Sequence, residues 1–214
     1  MEWIRNLLGY EGMIVVEPQG RSGGLALLWR EENQASLRSM SNNHIDVETR
    51  VNCMSPWRLT GFYGEPNRNH RRKTWDLLRN LARDSNLPWC TIGDLNNTLS
   101  HNDKRGGAQY PNYLIEGFTE SILDAGLTDM SLEGYQFTWE KGRNSDNWME
   151  ARLDRALVNT GWLNLFPIAK LYNTEGSPSD LSPVHLDLKA RSMGQGNKHF
   201  RFENAWLMER LCYQ

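Results

Sequence analysis

Trp89-Cys90-Thr91-Ile92-Gly93-Asp94-Leu95-Asn96 is the stretch on which the reading of this chain turns. Its first four residues form a short, compact apolar run of the kind that fills a buried strand, and Gly93 ends it. Asp94 and Asn96 then fall where strand gives way to loop. A strand end holds the backbone still while leaving the side chain accessible, so a carboxylate and an amide there are well placed for acid–base or phosphate chemistry. An aspartate at such a point is also a common turn residue. The motif therefore gains weight only from what surrounds it.

Working outward toward the N-terminus, Trp57-Arg58-Leu59-Thr60-Gly61-Phe62-Tyr63 reads as a strand ended by Gly64 and Pro66. Ile45 and Val47 flank Asp46 in a short alternating run, and Leu25-Ala26-Leu27-Leu28-Trp29 reads as a strand entered from the Gly23-Gly24 turn. From Arg71 to Arg83, Trp75, Leu78, Leu81 and Ala82 recur at spacings of three and four, which predicts a helix. Leu114 to Leu123 repeats that spacing with Ile115, Phe118, Ile122 and Leu123. Toward the C-terminus, Phe137-Thr138-Trp139 is a strand candidate and Leu153 to Val158 fits a strand or a helix equally. Val184-His185-Leu186-Asp187-Leu188 alternates as a half-buried strand should. The pattern is mixed α and β with strands in the majority. The polar, glycine-bearing run from Arg191 to Lys198 predicts a domain edge, giving one domain over 1–190 and a linker over 191–214. That tail carries a possible helix, Phe200 to Leu211, in which Phe202, Trp206 and Leu207 need a packing partner.

Bulk properties bound the reading without deciding it. The chain has 214 residues, 39% of them apolar, and nine tryptophans, which is enough to build a core. Its formal net charge of −2 does not announce a nucleic-acid binder, although a local basic patch is compatible with it. Cys53, Cys90 and Cys212 are too few and too far apart for a disulfide framework or a zinc pattern, so reduced thiols of an intracellular protein are expected. There is no basic segment followed by an apolar run at the start, and no apolar stretch approaches about eighteen residues, so neither a secretory signal nor a membrane span is expected.

Two further acidic motifs follow the first: Arg152-Leu153-Asp154-Arg155 and Ser179-Asp180-Leu181-Ser182-Pro183. Gly93-Asp94-Leu95-Asn96 resembles the GDFN-type motif of the endonuclease/exonuclease/phosphatase superfamily, with Leu95 in the phenylalanine place. Phe62-Tyr63-Gly64-Glu65-Pro66-Asn67 resembles the tyrosine-bearing strand end that precedes it. Phe137-Thr138-Trp139 and Arg152-Leu153-Asp154-Arg155 resemble the next two family segments, and Ser179-Asp180-Leu181 stands where the family has Ser-Asp-His. The order is the family's. Gly20-Arg21-Ser22-Gly23-Gly24-Leu25-Ala26-Leu27-Leu28-Trp29, Asn43 to Val47, Trp75 to Leu78 and Phe200 to Leu207 resemble the endonuclease regions of plant LINE-type (non-LTR) retrotransposons, the last being like their connector to a reverse transcriptase.

The resemblance implies an α/β four-layer sandwich, two mixed β-sheets flanked by helices, and Mg²⁺-dependent hydrolysis of phosphodiesters in DNA. It implies that Asp94 orients or deprotonates the attacking water, that Asn96 helps place it, and that Tyr63 bonds a phosphate oxygen. Asp154 would hold the catalytic histidine, and Asp180 would belong to the metal and phosphate end of the site. It also implies a nuclear setting and a reverse transcriptase region in a longer polyprotein. Two departures stand against full activity. Leu181 occupies the histidine place and cannot carry a proton, while His185, four residues on, is too distant in a strand to replace it, at about 3.3 Å per residue. The family's first strand and its metal-binding glutamate lie before the first residue here. The expectation is therefore a sheet short of its first strand or strands, a weakened Mg²⁺ site and impaired catalysis, the alternatives being an active Mg²⁺-dependent nuclease or phosphoesterase and a non-catalytic nucleic-acid-binding remnant.

Trp139 and Arg105 are the candidates for substrate contact. Trp139 is able to stack on a base or sugar or to pack as site wall, and Lys104-Arg105-Gly106-Gly107 reads as a polar loop that touches nucleic acid or merely solvent. The basic cluster Arg68, His70, Arg71, Arg72 and Lys73 reads first as a solvated face and second as a contact to a DNA backbone.

Overall fold

The computed structural model describes residues 1–18, 23–32, 34–50, 54–174 and 180–189. In chain order the elements are α1 (Glu2–Leu8), β1 (Gly12–Val16), β2 (Leu25–Trp29), β3 (Ala35–Ser41), β4 (His44–Thr49) and β5 (Trp57–Phe62). Then come α2 (Arg72–Arg83), β6 (Trp89–Asp94), β7 (Lys104–Arg105), α3 (Asn112–Asp124), β8 (Leu127–Asp129) and β9 (Leu132–Gly134). The chain continues through β10 (Trp139–Lys141), β11 (Met149–Ala151), β12 (Asp154–Asn159), α4 (Thr160–Leu165), β13 (Lys170–Asn173) and β14 (Val184–Asp187).

A six-stranded sheet in the order β3-β4-β5-β6-β12-β8 forms the middle of the molecule. Its β5–β6 pair is parallel, as a β5-α2-β6 crossover requires, and its other pairs are antiparallel. Helices α2 and α3 cover one face, where Phe62, Leu78, Leu81, Trp89, Phe118, Ile122 and Leu157 form one core. On the other face, Trp57, Cys90, Ala156 and Val158 pack against Trp162, Phe166 and Leu171 in a second core. Three smaller sheets complete the molecule: β1-β2, β14-β13-β9 and β10-β11-β7. β2 packs over β4 and β5, and β14 over β12. This is the mixed-sheet sandwich that the motifs predict.

Four local readings are settled or changed. Leu153 to Val158 resolves as strand β12, because it lies between β6 and β8 and is covered on both faces, which removes the alternation a half-exposed strand would show. Strand β4 is likewise buried almost throughout rather than half-buried. Its Asp46 is tolerated inside because Arg58 pairs with it at 2.7 Å, while the Thr60 hydroxyl donates to it and the Arg58 guanidinium reaches the Leu81 carbonyl and the Trp89 ring. The Lys104-Arg105 segment is a short strand, not a loop, and Phe137-Thr138 precedes β10 as buried irregular chain. Among the described residues no helix is long and apolar enough to cross a membrane. Cys53, Cys212 and the 191–214 tail with its predicted connector lie outside the described residues.

Candidate functional site

Asp94 ends β6, Asp154 begins β12, and the two are direct register partners in an antiparallel pair. Partners in register project to the same side of a sheet, so both carboxylates lie on the face away from α2 and α3. The approach of the strand ends is set by glycines. Gly93 has φ +146, and a Cβ there would stand 2.2 Å from the Phe62 carbonyl oxygen; a Cβ on Gly64 would stand 2.0 Å from that of Leu95. The loops after β5 and β6 are thereby pressed together, and the Gly64 N–H donates to the Asp94 carbonyl at 2.7 Å.

Asn96 fixes the same corner. It sits at φ 51, its backbone N–H donates to Asp94 Oδ1 at 2.8 Å, and its side-chain Nδ2 donates to the Gly64 carbonyl at 2.9 Å. Burial raises the Asp94 carboxyl above its ordinary range, opposed by the Asn96 N–H and by the charge of Arg71. Asp154 is pushed up to about 6, first by burial and second by the neighbouring Asp94 charge, with a hydrogen bond from Thr138 acting the other way. Its Oδ2 is buried without a hydrogen-bond partner. Thr138 is itself a hub. Its Oγ1 accepts the N–H groups of Leu153 and Asp154, both at 3.0 Å, and its carbonyl accepts the N–H of Ser182 at 2.8 Å.

The third acidic motif is thus laid beside the second. The Glu140 N–H donates to the Asp180 carbonyl at 3.0 Å, and Trp139 and Leu181 form an antiparallel bridge. Leu181 is 48% exposed, and Asp180 is exposed on its turn. Tyr63 is half-buried, its N–H and carbonyl both tied to Asn43.

Arg105, predicted to touch substrate, has its guanidinium engaged by the Glu150 carboxylate and the Tyr135 hydroxyl, with the rings of Phe137 and Trp148 at 5.2 and 5.3 Å. Trp139 is half-buried on β10.

Arg71 departs from the first of its two sequence readings, a solvated face, the second being a contact to a DNA backbone. It is 6% exposed; its Nε donates to the Glu65 carbonyl at 3.3 Å and its Nη1 to the Tyr110 hydroxyl. Burial and Arg68 bring its pKa down to about 10, with Asp94 pulling upward. The signal was present: Arg71 stands four residues before Trp75 and seven before Leu78, on the apolar stripe of the helix.

Mg²⁺ is expected from the motifs, but the residues present do not make a self-contained site for it. Among the described residues no three His, Cys, Asp or Glu side chains are grouped to hold a metal ion. Asp94 and Asp154 supply two carboxylates, and Asp180 stands apart on its exposed turn.

The sequence profile of the Endonuclease/Exonuclease/phosphatase family matches residues 2–179. The chain belongs to this family. Among solved structures, the endonuclease domain of TRAS1, a telomere-specific non-LTR retrotransposon, superposes with a TM-score of 0.64 at 14% identity, over 85% of this chain and 82% of that one. A functionally unknown conserved protein from Enterococcus faecalis gives 0.51 at 13% identity, over 82% and 76%. A family protein from Bacteroides thetaiotaomicron gives 0.51 at 15%, over 86% and 74%. At these identities the likeness is one of fold. No match was found among curated proteins. Within the family fold, Asp94, Asn96, Asp154 and Thr138 share one corner, formed where β6 ends and β12 begins.

Proposed function

We propose that this family member binds a phosphodiester of DNA at the Asp94–Asp154 corner and hydrolyses it poorly. The observation that carries this reading is the register pairing of two desolvated carboxylates at adjacent strand ends, locked by Asn96 and Gly64. Raised above its ordinary range, Asp94 is a better proton acceptor than a surface aspartate and would take the proton of an attacking water. Asn96 would keep that carboxylate aimed, Tyr63 would donate its hydroxyl to a phosphate oxygen, and Arg71 would offset charge gathering beside Asp94. Asp180 would border the phosphate on the far side, and Trp139 would form the wall. Arg105 is assigned to the support of that wall, since its donors already meet Glu150 and Tyr135.

The weak step is delivery of a proton or positive charge at Asp154. The buried, unpartnered Oδ2 of Asp154 is what a carboxylate looks like when the group it would orient is missing, and Leu181 holds the histidine place in the motif. The described residues hold no self-contained metal cage. The motifs that resemble plant LINE-type elements support a retrotransposon endonuclease lineage, a nuclear setting and a reverse transcriptase region in the ancestral product.

The test is nicking of supercoiled plasmid in Mg²⁺. The chain should nick slowly, Asp94→Ala should abolish what there is, and Leu181→His should accelerate it by about 10²–10⁴-fold, the usual worth of a general acid or base. Nicking that survives Asp94→Ala would remove the site from this corner. A Leu181→His variant no faster than the parent would remove the account of the impairment.

A further inference from the structure

Two loops leave the adjacent strand ends of β5 and β6, and they carry three cations to one place. Arg68 and Arg71 come from the loop after β5, and Lys104 follows the turn after β6. Tyr110, 5% exposed, is the centre of the two arginines: their guanidinium carbons lie 5.5 and 5.4 Å from its ring centroid. Lys104 is tied to the segment that leads into Tyr110, its Nζ 2.7 Å from the carbonyl of Ala108, and the charge of Arg68, after burial, lowers its pKa. Its Nζ donates to the carbonyls of Gly106 and Ala108, leaving one N–H of three uncommitted. Among the described residues none of the three has a carboxylate within 4 Å, and the Arg68 guanidinium makes no hydrogen bond. By contrast, Arg58, Arg79, Arg105, Arg152 and Arg155 are each paired with an acid.

Gathering like charges around a buried guanidinium is unfavourable unless something anionic completes the group. Asp94 and Glu65 act on Arg71 only at longer range. The gap suits a tetrahedral oxyanion, since Arg offers planar paired donors and Lys a point charge.

We propose that Arg68, Arg71 and Lys104 form a seat for a second phosphate of the bound strand, beside the phosphate that faces Asp94; this rests on the reading of the corner as a phosphodiester site. The seat fixes the strand's register while the corner addresses the scissile bond. It also explains how a chain of net charge −2 holds a polyanion.

The test is fluorescence anisotropy with a labelled 12-nucleotide duplex in EDTA, at 20 to 200 mM KCl, on the full chain. Arg68→Gln/Lys104→Gln is the main variant, because it spares the buried Arg71, and Arg68→Lys is the conservative control. The expected result for the double variant is affinity weaker on the order of tenfold. The slope of log affinity against log salt should be shallower by about 0.9 for each phosphate that the variant no longer neutralises. Arg68→Lys should keep most of the slope. Unchanged affinity and slope in the double variant would overturn the seat while leaving the corner intact. Failure of the parent chain to bind the duplex even at 20 mM KCl would overturn the phosphodiester reading and the seat with it. Inorganic pyrophosphate is titrated in parallel: if it binds the parent and not the double variant while duplex binding is the same in both, the seat takes a free phosphate and the strand assignment falls.

Discussion

Asp154 shows how one side chain reports on the state of the site. Burial and the Asp94 charge hold its carboxyl at about 6, above the ordinary value of 3.8. Between those two values the folded state binds a proton that the unfolded chain has released. The stability this group contributes is therefore fully present below about pH 4 and is lost as pH rises through 6. Replacing the neighbouring charge by Asp94→Asn should move the Asp154 midpoint down toward the ordinary range, as read by carboxyl-carbon NMR. It should also raise stability at pH 7.5 relative to pH 4 by about 1–2 kcal/mol in urea unfolding, with the shift discounted for partial exposure. A midpoint that does not move would show that the two carboxylates are not coupled. Asp94, Asn96, Asp154, Asp180 and Tyr63 were legible as candidates because each sits in a motif. Arg71 and Thr138 were not, because an arginine in a basic run and a threonine in an apolar one look ordinary until long-range contacts bury them.

At the scale of the element, β12 is held in register by ions rather than by its own propensity. Arg155, 1% exposed, donates to Asp103 at 2.6 Å and to Asp129 at 2.7 Å, and Arg152 reaches Asp129 and the Met130 carbonyl. Asp103 in turn caps the turn after β6 through the N–H groups of Leu99 and Ser100. The loop that follows Asn96 and the strand that starts at Asp154 are thus tied through one buried carboxylate. Arg155→Met leaves Asp103 and Asp129 without their shared partner and should cost about 3–5 kcal/mol. The measurement is chemical denaturation at pH 7, and a loss under about 1 kcal/mol would mean that water replaces the guanidinium. Burial explains why β12 was ambiguous from sequence. Its residues are buried on both faces, two of its neighbours in the sheet are remote in sequence, and no alternation survives to distinguish strand from helix. By contrast β5, β6, α2 and α3 were readable, since glycine and proline stops and three-four spacing are local signals. Helix α1 and strand β1 were not read at all: α1 buries none of its residues, and every residue of β1 is half-buried, so neither shows a patterned face.

Across the whole molecule, the site corner depends on two cores that share one sheet. Helices α2 and α3 press on one face, while α4 and the β9-β13-β14 sheet press on the other, and Asp94 and Asp154 project from that second face at its edge. Trp162 is the anchor of the second core. It is fully buried, meets Trp57 edge-on at 6.3 Å and lies 4.9 Å from the ring of Phe166. Trp162→Ala removes a large aromatic volume that the sheet cannot close over, a loss of about 3–5 kcal/mol. For a chain of this size that corresponds to a fall in Tm of roughly 6–20 °C. Because both cores lean on β5, β6 and β12, the transition should remain single, with far-UV circular dichroism and tryptophan fluorescence falling together. Two separated transitions would mean that the faces of the sheet unfold independently. The Asp94–Asp154 corner would then be positioned by the α2–α3 core alone, and loss of Trp162 would leave its geometry untouched.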